Sequence, residues 1–179
     1  MDIVIAKYNE DVSWLSQIQG KGNIIVYDKG SGELPNIGRE AHTYVHHILE
    51  NYDNLSECTV FLQGKPFDHC RDVTAMLTEI NEGIVNLSNS ILDCDINGNP
   101  HHSGLKIAEF QELLFGEVLF TDLKFAPGAQ FIVHKDLITN KSKKFWDNFL
   151  DIFVSHRIDE APWIAERLWG YIFQSYSDV

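Results

Sequence analysis

The amino-acid sequence predicts an α/β protein, a single three-layer domain over residues 1–179 with a mostly parallel (mixed) central sheet between helices. Three observations carry that expectation. Short apolar, β-rich runs at 3–8, 23–28 and 59–62 alternate with helical patterns at 12–19 and 39–52, the order of successive βαβ units. Each run stops at a polar or glycine-rich break. The 179-residue chain is 44% hydrophobic and 22% charged, which suits one globular domain with a core of its own and excludes a disordered chain.

The elements follow in order. The run IVIAKY (3–8) ends in polar Asn9, Glu10 and Asp11, as a buried strand feeding a helix would, and 12–19 reads as that short helix. NIIVYD (23–28) is a second strand closed by the loop signal KGSG. Over 39–52, apolar residues fall at 41, 44, 45, 48, 49 and 52, the spacing of an amphipathic helix. TVFL (59–62) is a third strand stopped by Gly64 and Pro66. Val73, Met76, Leu77, Ile80 and Ile84 predict another helix from about Asp72. Residues 93–104 read as a long polar loop, 105–115 as a helix and 128–134 as a late strand. Two aromatic-rich helices close the chain, 144–155 and 162–176, the second opening on Pro162 and apolar around most of its circumference.

Charge narrows the function. The formal net charge is −12, which disfavours binding to nucleic acid or to an anionic membrane, since both need clustered basic side chains. The excess is uneven: −4 over residues 1–71, −8 over 72–123 and 0 over 124–179. Cys58, Cys70 and Cys94 form no CxxC pair, so no disulfide framework is expected. No signal-peptide pattern opens the chain and no apolar run nears the ~20 residues that span a bilayer. A soluble, cytoplasmic protein is expected.

Parallel sheets take ligands beyond the carboxyl ends of their strands, here residues 9–11, 28–29 and 63–69. The segments YNED (8–11), NIGREAHTY (36–44), FLQGKPFDH (61–69), PGAQF (127–131) and ERLW (166–169) resemble an uncharacterised domain family of fungi and bacteria, along nearly the whole chain. The opening strand with Tyr8, Asn9 and Glu10, followed by a strand ending in Asp28, is similar to the nucleotide-binding half of GT-A glycosyltransferases.

That resemblance implies transfer of a sugar from a nucleotide-sugar donor to a glycan or related hydroxyl acceptor. Residues 1–71 would form the donor half, with Tyr8, Asn9, Glu10, Asp28 and Lys29 around the nucleotide and Arg39 near the diphosphate. Gln63 and Gly64 stand where GT-A enzymes carry the Asp-x-Asp that holds a divalent metal, so Mn²⁺ or Mg²⁺ binding in the usual manner is not expected there. Asp68, the nearest acid and a possible catalytic group, and His69 would be the substitute ligands. Residues 124–179 would supply the acceptor half, with Gln130 and His69 facing the acceptor and Glu166 as general base. Independently of the resemblance, the face of Glu166 carries Trp163, Gly170 and Phe173; desolvation there would raise a carboxyl pKa towards the range useful for proton abstraction.

Two further patterns suggest metal. Asp93-Cys94-Asp95, continuing to Asn97 and Gly98, resembles the start of a calcium loop, although residue 104 is glycine rather than the expected glutamate. His42 and His46, four apart on one helix, could share a zinc ion; by the helical wheel His42 flanks the apolar stripe and His47 faces away. The alternatives are therefore a metal-dependent hydrolase using His42, His46, Asp68 and His69, or a non-catalytic glycan-binding domain whose contact surface is the aromatic region 145–176. No nucleophile elbow and no P-loop occurs.

Overall fold

The run that follows Met1 forms β1 (Asp2–Lys7) in a computed structural model that describes residues 1–155 and 157–174. Val4 packs into one hydrophobic cluster while Ile3 and Ile5 pack into another, all three fully buried. A strand with an unbroken apolar run, here residues 3–6, must be covered on both faces, and β1 is. It pairs in parallel with β2 (Asn23–Asp28) on one side and β3 (Cys58–Gln63) on the other.

Beyond β3 the sheet changes sense. The strand β9 (Phe131–His134) lies antiparallel to β3, and the edge strand β4 (Ile84–Asn86) lies antiparallel to β9, giving the order β2-β1-β3-β9-β4. A second, wholly antiparallel sheet joins β5 (Leu92–Asp95), β6 (Gly98–Asn99), β7 (His102–Ser103) and β8 (Asp122–Phe125) in the order β7-β6-β5-β8. The α/β class therefore stands, but the strand pairing is mixed and mostly antiparallel, which corrects the mostly parallel sheet predicted. The cause lies in residues 72–104. The predicted helix there is a single turn, α2 (Val73–Met76), and Gly83, at φ +78°, turns the chain into β4. With no long crossover helix after β3, the chain re-enters the sheet through the antiparallel strands β9 and β4. The polar stretch 93–104 is hairpin rather than loop.

Helices cover one face of the larger sheet. The helix α1 (Arg39–Asn51) crosses behind β1 and β3, with α5 (Lys143–Val154) and α6 (Ala161–Ile172) against it and α3 (Ile107–Phe115) packed on α5 and α6. The short α4 (Lys135–Thr139) follows β9 directly. Ser142 caps α5 by accepting from the Phe145 N–H at 3.2 Å, and Pro162 occupies the first turn of α6 as expected. Positions 175 and 176 of the predicted closing helix lie outside the described residues. A 3₁₀ turn over Ser13–Ile18, in place of the short α-helix predicted, and the chain around Cys70, Val73, Leu77 and Leu87 cover the opposite face. No helix among the described residues is long and apolar enough to cross a membrane.

Trp163 and Tyr171 of α6 are half-buried, but most aromatic residues of the 145–176 region are core: Trp146, Phe149, Trp169 and Phe173 are at most 2% exposed. Phe131 sits at their centre, its ring 5.4 Å from Phe61, 5.3 Å from Trp169 and 5.3 Å from Phe173. Deleting it leaves a void between α1, β3 and α6. Phe131→Ala is expected to destabilise the fold by roughly 3–5 kcal/mol, read as a lower urea midpoint with an unchanged slope. A loss under 1 kcal/mol would show that this aromatic cluster is not the centre of the core.

Candidate functional site

The carboxyl ends of β1, β2 and β3 open into a cavity of about 420 Å³. Among the residues named from sequence, Tyr8, Glu10, Lys29, Arg39, Gln63 and Asp68 line it. A second cavity of about 270 Å³ adjoins it, lined by His69, His102, Trp163, Glu166 and Arg167 among others. Arg39, Glu40 and Gln63 line both. The two spaces therefore meet at the start of α1 and the end of β3.

The start of α1 has an unusual backbone. Gly38 and Arg39 both have positive φ, +60° and +49°. A side chain on Gly38 would press on the Cβ of His42 at 2.7 Å and the ring of Phe153 at 2.9 Å, so glycine is required there. Arg39 has no such exemption. Lys29 holds the turn: its Nζ, only 6% exposed as a residue, donates to Ile37 O at 2.6 Å and to Arg39 O at 2.5 Å. Burial lowers the Lys29 pKa to about 8, partly offset by the Glu40 carboxylate. Lys29 was named as a nucleotide contact; its ammonium is committed to the backbone. The Arg39 guanidinium is carried over the ring of Trp163, 5.6 Å from its centroid.

Glu40 is the residue that sequence reasoning missed. Its side chain is 9% exposed, and Arg39 Nε lies 3.5 Å from its Oε2. Burial holds its carboxyl above the ordinary carboxylate range, Arg39 pulls it down, and the neighbouring Glu166 pushes it up. A charge at the first turn of a helix ordinarily faces solvent near the positive end of the dipole. The left-handed pair before it is what turns this one inward.

Glu166 lines the second cavity, and both its oxygens are engaged: Oε1 accepts from Gly128 N at 2.6 Å, and Oε2 pairs with Arg167 Nη1 at 3.2 Å. Arg167 is 1% exposed, reaches Trp163 O at 2.6 Å and lies 4.5 Å above the Phe125 ring. The carboxylate thus ties α6 to the left-handed turn at Gly128 and Ala129 that launches β9.

Other predicted site residues have different tasks. Asp28 pairs with the Lys7 ammonium and caps its own turn by accepting from Gly30 N and Ser31 N; Lys7 holds its carboxyl below the usual range. Asn9 is exposed and outside both cavities. Gly64 lies under Glu10, where a Cβ would come within 2.9 Å of the carboxylate, and it too lines neither cavity. Gln130 corrects the acceptor assignment: 1% exposed, it donates to Pro66 O at 3.1 Å and accepts from Gln63 N at 3.4 Å, stitching β3 to the loop around β9.

The metal candidates do not assemble. Among the described residues no group of three or more His, Cys, Asp or Glu side chains is placed to hold a metal ion. Asp68 pairs with Lys65 at 3.0 Å, and His69 lines the other cavity. Asp93 pairs with Lys124 at 3.1 Å, and Asp95 accepts from Asn97 N at 2.7 Å, so this Asp-x-Asp belongs to hairpin and turn chemistry. The residues present therefore do not fit the donor set that would hold Mn²⁺ or Mg²⁺ on a diphosphate. His42 and His46 stack in parallel, 6.4 Å apart, without further ligands. His47, expected to face away, is fully buried, and its Nδ1 lies 3.1 Å from the Tyr27 hydroxyl.

Burial lowers the pKa of His42 and of His47 to about 4, below the ordinary value of about 6.5. As pH falls below 6.5 the unfolded chain takes up protons before the folded one, so both histidines cost stability progressively until about pH 4. The urea midpoint should therefore drop between pH 7 and 5, and the drop should be smaller in the His42→Gln/His47→Gln double variant. Equal pH dependence in both proteins would show that these imidazoles are not held neutral.

Over residues 3–178 the sequence matches the family described as Protein of unknown function (DUF3431). No curated protein and no solved structure matches it. The match spans nearly the whole sequence, and the chain belongs to the DUF3431 family.

Proposed function

We propose that the paired cavities hold a nucleotide-sugar donor and a hydroxyl acceptor, and that the protein transfers the sugar between them. One observation carries this reading: two cavities of unequal size share Arg39, Glu40 and Gln63 beyond the ends of parallel strands, where α/β sheets take their ligands. Two substrates need two spaces that meet at one point, with the reacting atoms brought to that junction.

The larger cavity suits the donor. Lys7, Lys29, Arg39 and Lys65 line it together with Glu10, Glu40 and Asp68, so its lining is close to charge balance where the whole chain carries −12. Arg39 is held only by the long contact to Glu40 and by the Trp163 ring, its side chain is 55% exposed, and a guanidinium can grip phosphate oxygens in a bidentate manner. Tyr8, 44% exposed beside it, offers a ring face to a base. The smaller cavity suits an acceptor that presents a hydroxyl to the carboxylates of Glu40 and Glu166, with Trp163 as an apolar wall.

A thermal-shift panel of nucleoside diphosphates and nucleotide sugars tests the reading. A ligand at 100 times its Kd stabilises by about 2.7 kcal/mol, which moves Tm by several degrees in a chain of this size. At least one member should give such a shift, and Arg39→Ala should reduce it while leaving the unliganded Tm within about 2 °C of the parent. No shift with any member contradicts donor binding.

A further inference from the structure

We propose that Glu40, rather than Glu166, accepts the proton of the attacking hydroxyl, and that Glu166 is a positioning residue that braces the turn opposite. The inference rests on the transfer reading of the cleft and assigns its proton acceptor.

Place comes first. A base for this step must touch the acceptor hydroxyl at the moment it meets the anomeric carbon, which puts it where the two spaces join. Glu40 borders both cavities; Glu166 borders only the smaller of the two. Availability comes second. The Glu166 oxygens already accept from Gly128 N at 2.6 Å and Arg167 Nη1 at 3.2 Å, so both are engaged in holding the turn opposite. Glu40 has Arg39 Nε at 3.5 Å, the outer limit of a hydrogen bond. Its side chain is nine-tenths buried and is directed to the junction by a backbone that spends two left-handed residues to get there.

Charged and titratable groups surround it from three elements: Arg39 and Tyr44 on α1, Lys29 on the turn after β2, and Glu166 on α6. Burial and Glu166 raise the Glu40 carboxyl above its ordinary range, while Arg39 offsets part of that rise. In the step itself the hydroxyl oxygen bonds to the anomeric carbon as the bond from that carbon to the diphosphate oxygen breaks. The electron pair leaves on the diphosphate, and the hydroxyl proton passes to a Glu40 carboxylate oxygen. Direct displacement inverts the anomeric centre.

The test uses the full chain and the nucleotide sugar that gives the largest thermal shift, with release of nucleoside diphosphate to water or an added alcohol as readout. Glu40→Gln should keep the donor-induced shift yet lose roughly 10²-fold or more in kcat, and the acid limb of its pH–rate profile should disappear. Glu40→Asp should recover part of the rate. Glu166→Gln should lower Tm and raise KM while retaining the acid limb. The assignment is overturned if Glu40→Gln stays within threefold of the parent, or if Glu166→Gln is the variant that loses the limb. A parent protein that binds donor but releases no diphosphate overturns it too, leaving donor binding intact. A parent that binds no nucleotide sugar removes the transfer reading itself, and this assignment with it.

Discussion

The Lys29 ammonium, drawn in from the end of β2, donates to the carbonyls of Ile37 and Arg39, and the shape of the cleft follows from that pair of bonds. The two carbonyls flank a turn in which Gly38 and Arg39 are both left-handed. A non-glycine residue there costs roughly 1–2 kcal/mol, and buried carbonyls without donors would cost more. Lys29 supplies the missing donors from across the chain. Its bonds set the direction in which α1 departs, throw Arg39 over Trp163 and swing Glu40 to the junction of the two cavities.

The opposite wall uses the same device with the charge reversed. There a carboxylate, Glu166, receives the N–H of Gly128 as the backbone passes through positive φ at Gly128 and Ala129. A Cβ on Gly128 would sit 2.7 Å from His69, so the turn also fixes how closely His69 approaches. A buried cation grips carbonyls on one side and a carboxylate grips an amide on the other. Each holds a strained turn in place at the edge of the cleft, where strain that the surroundings over-determine is often part of a working site. The acid-rich segment 72–123 lies mostly apart from this machinery: Asp93, Asp95 and Asp122 are exposed on the antiparallel hairpin sheet.

Much of this is legible in the residues. The apolar positions of α1, the breaks after β1 and β2, and the burial of the last helix follow from spacing alone, and a cavity does lie beyond the strand ends. What fails, fails for tertiary reasons. Ile80 and Ile84 keep helical spacing, but β4 is chosen because β9 offers it an edge. The polar alternation of 92–95 is too short to announce a strand until β8 pairs with it. The wheel misplaces His47 because α1 is buried around most of its circumference, with Tyr27 and Phe61 on the side the wheel assigned to solvent. Glu40 is invisible for the same kind of reason. Its orientation depends on a backbone conformation enforced by a lysine ten residues earlier, and no local pattern encodes that.

The protonation of Lys29 is the most direct measure of whether this bridge exists. A ¹H–¹³C NMR titration of the lysine Cε resonances, with Lys29 identified by its absence in Lys29→Arg, reads it in the folded protein. Lys29 should titrate at about pH 8, separated from the remaining lysines. Titration near the ordinary lysine value of about 10.4 would mean that the ammonium is solvated, and that the turn carrying Arg39 and Glu40 is held by something else.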